Sequence, residues 1–173
     1  MAKQIINAKI VTPEGILEGK TLIYDRKIIE ISDSPLPDAE TINAGGRLLI
    51  PGLIDIHVHG YLGADASDGT EDAVRTIASG ILKNGVTAFL PTTMTVSYEE
   101  LEKAFSAIRG VMRSPHPGEA IVLGAHAEGP FINVNKKGAQ SAEFVRRPDA
   151  DFVIRNKDVI KLITIAPETD EDF

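Results

Sequence analysis

The chain has 173 residues, 43% of them hydrophobic and 25% charged, with a net charge of −7 and no cysteine. That length and balance suit one or two soluble globular domains, and the missing thiols exclude disulfides and thiolate metal sites. The acidic excess offers no basic face to nucleic acid or anionic membranes, and no apolar run approaches the ~20 residues of a membrane span.

Residues 1–50 read as short β-prone pieces, at 5–6, 22–24, 28–31 and 47–50, separated by turn signals such as Thr12-Pro13-Glu14-Gly15 and Asp33-Ser34-Pro35. This is a small β unit, a sandwich-like segment too short to bury much surface without further strands or a neighbouring domain. Its opening, MAKQIINAKI, lacks a signal-peptide layout, which makes the cytoplasm the expected compartment.

Residues 51–60, PGLIDIHVHG, change the pattern. After the Pro51-Gly52 turn, strand alternation sets Ile54, Ile56 and Val58 on one face and Leu53, Asp55, His57 and His59 on the other. The two histidines then stand roughly 6.5–7 Å apart along the strand and point the same way. A lone His-x-His is weak evidence by itself. The shared face with Asp55 and the glycine after His59 favour metal ligation over two satisfied polar side chains.

From there strands alternate with helices. The spacing of Ala73, Ile77, Ile81 and Leu82 predicts a helix over 71–83, closed by Asn84-Gly85. A second strand covers 86–90 and stops at Pro91. Ser97 and Glu100 form a capping-box pattern for a helix through Met112. A third strand runs over 121–127, a short helix over 149–156 and a fourth strand over 159–165. This order implies parallel pairing and an α/β fold. No Gly-x-Gly-x-x-Gly turn follows the first strand, so a dinucleotide-binding sheet is disfavoured. A complete (β/α)8 barrel takes about 250 residues. Residues 51–173 therefore read as the first four strands of a TIM-type barrel, with residues 1–50 as an N-terminal β segment.

The third strand carries a second candidate. Val122, Gly124, His126 and Glu128 share one parity, which turns Glu128 toward the same barrel mouth as His57 and His59. A carboxylate joining two imidazoles makes a three-ligand set with positions left for water, as catalytic sites have. Alone, Glu128 would be an ordinary solvated strand-end glutamate. His126 is a supporting candidate behind the ligands, Asp55 is a candidate to bond a ligand or the strand backbone, and His116 sits in a proline-flanked loop facing solvent. Thr92 and Thr93 receive no chemical role.

PGLIDIHVHG, GVTAFLPT at 85–92, HAEGPFINVNKKGAQ at 126–140 and ITIAPE at 163–168 together resemble the N-acetylglucosamine-6-phosphate deacetylases, a branch of the amidohydrolase superfamily. The resemblance implies a metal-dependent hydrolase that removes the acetyl group of N-acetylglucosamine 6-phosphate. It makes Glu128 the shared or primary metal ligand and gives His57 and His59 a second ion, so one or two divalent ions (Zn, Fe, Mn or Co) are expected. Ala139 and Gln140 would line the sugar site. Lys136 and Lys137 read as a solvated pair, with attraction of a sugar phosphate as the alternative. The family also uses two later histidines and a catalytic aspartate. No histidine follows His126, and Asp170 and Asp172 lie in a terminal acidic run that does not fill that role. The expectation is thus a fragment with no catalytic residue of its own and two open barrel edges, inactive in isolation, from a protein that works as a cytoplasmic homodimer on a small sugar phosphate. The rival readings are a dihydroorotase-like hydrolase of a cyclic amide and a non-catalytic metal-binding module.

Overall fold

The computed structural model describes residues 2–170; Asp172 lies outside them. The chain divides into two compact units, Met1–Pro51 and Gly52–Phe173.

The first unit is all β. Strands β1 (Lys3–Ile6), β4 (Thr21–Tyr24), β5 (Ile28–Ser32) and β6 (Glu40–Asn43) form a sheet in the order β5-β4-β1-β6, and β2 (Lys9–Thr12), β3 (Gly15–Leu17) and β7 (Leu48–Leu49) form a second in the order β3-β2-β7. Its buried core is small: Ala8, Ile10 and Leu22, flanked by Ile5, Leu17, Ala44 and Leu49.

The second unit holds a parallel sheet whose strands follow chain order. Strand β8 (Leu53–Val58) pairs with β11 (Val86–Thr93), and β11 with β12 (Ile121–Val122) and then β13 (Ala125–Glu128). Strand β14 (Ile160–Thr164) pairs with β13. Between β8 and β11 lie a short hairpin, β9 (Gly60–Tyr61) and β10 (Ala64–Asp65), and helix α1 (Glu71–Leu82). Helix α2 (Tyr98–Arg113) connects β11 to β12, and α3 (Ala150–Arg155) precedes β14. Ser97 and Glu100 make the reciprocal capping bonds that open α2. The apolar stripes of the two long helices meet the sheet in one core, in which Val74, Ile77, Leu101, Phe105, Ile108 and Phe89 are fully buried.

Strands β2, β3 and β6 and the β9–β10 hairpin have no counterpart in the sequence reading, and among the elements it expects, two boundaries near the site differ most. Strand β11 runs through Pro91 to Thr93. Proline brings no N–H to the ladder, and the β8–β11 register is irregular there. The amide of Val58 donates instead to the Thr92 hydroxyl at 3.0 Å. The third strand is split at Leu123-Gly124, where the chain leaves the ladder before re-entering as β13. Among the described residues, no helix is long and apolar enough to cross a membrane.

Candidate metal centre

The site grows from the C-terminal ends of β8 and β13. His57 is the penultimate residue of β8, and His59 follows the strand's last residue by one. Asp55 accepts the backbone N–H of His57 at 3.0 Å, which fixes the strand end and leaves the His57 ring to face its neighbours. The Nε2 atoms of His57 and His59 lie 3.3 Å apart. From the third strand, Glu128 places Oε2 2.8 Å from His59 Nε2 and 3.4 Å from His57 Nε2. Among the described residues this is the one grouping of three or more His, Cys, Asp or Glu side chains with donor atoms so close, all within 4.8 Å of one another.

The backbone sets the tautomer of a neutral His59 ring. Its Nδ1 lies 3.0 Å from the Thr92 carbonyl oxygen, which can only accept, so Nδ1 carries the hydrogen. In the neutral ring, Nε2 then presents a lone pair to Glu128 Oε2, another acceptor. Two acceptors at 2.8 Å repel unless a proton or a metal cation is shared between them. Three ligands each about 2.0–2.2 Å from one ion are roughly 3–3.5 Å apart at tetrahedral or octahedral angles, close to the spacings of this trio. The residues present fit a divalent cation, and their nitrogen and oxygen donors without sulfur are those of Zn, Fe, Mn or Co sites.

His126 stands behind the trio and is 3% exposed. Its Nδ1–H donates to the Ile56 carbonyl at 3.1 Å, and its Nε2 accepts from the Thr164 hydroxyl at 2.8 Å. Burial pushes its pKa below the ordinary histidine value, which keeps the ring neutral and this pattern of bonds intact. The ring also meets His57 edge-on, with centroids 4.8 Å apart. One buried imidazole therefore ties β8, β13 and β14 together beside the candidate ligands. His116, by contrast, lies apart from the cluster, on an exposed loop 3.7 Å from Glu119.

The loop after β13 supplies Gln140 and Ala139. Ala139 is exposed, and Gln140 is 6% exposed with its amide turned onto Glu128, Nε2 to Oε2 at 3.0 Å. Lys137 donates to the carbonyls of Gly138 and Gln140 and so pins this loop. Gly129 occupies a left-handed conformation, and a Cβ there would run into the Thr95 hydroxyl. The close approach lets that hydroxyl donate to the Glu128 carbonyl at 3.2 Å. Thr92 and Thr95 are the site residues that sequence reasoning missed. Their contributions are a carbonyl, a backbone N–H and hydroxyls at a strand end, groups with no periodic signature.

Comparison with known proteins adds a lineage to this geometry. A family model described as the amidohydrolase family matches residues 48–172. The N-acetylglucosamine-6-phosphate deacetylase of Lysinibacillus sphaericus is 34% identical over 170 residues, covering 95% of this chain and 44% of that protein. The Homo sapiens protein of the same name is 38% identical over 162 residues, 88% of this chain and 37% of its own length. The crystal structure of N-acetylglucosamine-6-phosphate deacetylase from Pasteurella multocida superposes with a TM-score of 0.88 at 31% identity, over 98% of this chain and 46% of the other. The chain thus spans less than half the length of these relatives.

Proposed function

The chain belongs to the amidohydrolase family, and from that premise we propose that His57, His59 and Glu128 hold a divalent metal ion for hydrolysis of an amide. The substrate of that reading is N-acetylglucosamine 6-phosphate, cleaved to acetate and glucosamine 6-phosphate, as the names of the relatives suggest. The observation that carries it is the convergence of three donor atoms from the C-terminal ends of two strands within 4.8 Å.

A cation bound there supplies Lewis acidity toward a carbonyl oxygen and lowers the pKa of water to near neutrality. The chain's own residues prepare for it. Glu128 brings the negative charge, and the Thr92 carbonyl keeps His59 in the tautomer whose Nε2 is free to bind. Asp55 steadies the His57 backbone. Neutral His126 buttresses the His57 ring without adding a competing positive charge.

The same reading makes β8, β11, β12–β13 and β14 the first four strands of a (β/α)8 barrel, with residues 1–50 as a small sandwich segment. Parallel strands in chain order and side chains gathered at C-terminal strand ends support it. Cytoplasmic homodimers acting on a small sugar phosphate belong to this reading through the family resemblance.

Equilibrium dialysis of the 173-residue chain against Zn2+ tests the metal. Near-stoichiometric uptake by the wild type and its loss in His59→Ala are expected; uptake that survives His59→Ala together with Glu128→Ala would defeat the assignment. Acetate release from N-acetylglucosamine 6-phosphate, measured on the whole protein beside a cyclic amide, tests the substrate. Turnover of the cyclic amide alone would replace the deacetylase reading.

A further inference from the structure

We propose that Gln140 is a positioning residue that holds the Glu128 carboxylate in its metal-binding orientation through an anchor on Thr95; the inference rests on the metal reading above. The Thr95 N–H donates to Gln140 Oε1 at 2.7 Å. A backbone N–H cannot accept, so this bond settles which end of the amide is oxygen, and Nε2 must face Glu128. There it donates to Oε2 at 3.0 Å, with Met94 Sδ at 3.7 Å on its other side. The main chain of Gln140 is held as well: its N–H donates to the Lys137 carbonyl, and its own carbonyl accepts from Lys137 Nζ. Thr95 closes the circuit by donating its hydroxyl to the Glu128 carbonyl.

Glu128 Oε2 is also the oxygen nearest both histidine Nε2 atoms. The amide therefore grips the atom that would meet the cation. A carboxylate on a flexible side chain loses affinity if it must be ordered on binding, and an N–H donor fixed beforehand removes that cost. The residue type matters too. An amide donates without cancelling the carboxylate charge, whereas lysine or arginine in its place would neutralise the charge that attracts the metal. With 6% exposure and both ends of its amide engaged, Gln140 is held to act on Glu128.

The test is a Co2+ titration of the 173-residue chain and of Gln140→Met, a substitution of similar length that lacks the donor. The variant should bind Co2+ about 10–100-fold more weakly and change the visible absorption of the bound ion, with its metal-free circular dichroism retained. A loss confined to thermal stability, with Co2+ affinity within about twofold of wild type, would overturn the proposal while leaving the metal reading in place. A folded wild type that takes up no Co2+ would remove both. A second measurement needs no variant. In the wild-type 15N spectrum the Gln140 side-chain amide pair should shift in step with Zn2+ occupancy, and a pair that stays fixed at saturation counts against the proposal even where Gln140→Met fails to fold.

Discussion

The two units of this chain treat their apolar residues in opposite ways. In the second, two long amphipathic helices close over a parallel sheet, and Phe89, Phe105, Leu101, Ile77 and Ile108 reach zero or near-zero exposure. In the first, sheets of short strands have no helix to cover them. Ile16, Ile28, Ile29, Leu48 and Ile50 each stay more than half exposed, and the buried cluster holds three residues, Ala8, Ile10 and Leu22. Both sequences alternate apolar and polar residues, so pattern alone does not create a core. A second layer does. The contrast recurs inside the second unit: the β11 flank is sealed, whereas Leu53, Ile54 and Ile56 of β8 remain more than half exposed beside the candidate metal centre.

The sharpest way to probe this contrast is to empty the sealed core. Phe105→Ala should lower the unfolding free energy by about 3–5 kcal/mol, the usual result for a fully buried aromatic, read from faster exchange of β11 amides. Leu22→Ala, in the shallow core, should cost about 2 kcal/mol, the low end for such truncations, because fewer buried neighbours surround it; exchange in β4 reports it. Equal losses at the two sites would break the comparison.

The smallest effect sharpens it at the margin of the sealed core, where α3 packs Phe152 against Tyr98 with ring centroids 4.3 Å apart. Asp149 caps α3 by accepting the Phe152 N–H and also accepts the Tyr98 hydroxyl. Asp149→Ala should cost about 1 kcal/mol at neutral pH, the ordinary value of an N-cap. The Phe152 N–H, aided by the Tyr98 hydroxyl, holds the Asp149 carboxyl below its usual 3.8. A depressed carboxylate contributes its stability above the unfolded value and loses it as pH falls through the folded one. The gap between wild type and variant in chemical unfolding should therefore be constant above about pH 4 and narrow below it. A gap that widened in acid would contradict the cap.

Much of the architecture was legible because it is written in local periodicity. Helix spacing, the Ser97–Glu100 box and the strand alternation of 53–59 each depend on residues a few positions apart, and each element appears within a few residues of its expected limits. The end of β11 is not legible because a proline reads as a stop, whereas an irregular ladder lets the strand run on, with the Thr92 hydroxyl accepting the Val58 amide.

By itself the sequence determined that His57 and His59 share a strand face and that Glu128 has the parity to join them, since side-chain direction along a strand has a period of two. Only the tertiary structure decided the distances among them, the tautomer that Thr92 imposes on His59, and the turning of Gln140 onto Glu128. Those depend on the register between β8, β11 and β13 and on the closing of a loop onto a residue 45 positions away in the chain. Such contacts are set by packing and by backbone groups every residue possesses, so no side-chain pattern announces them.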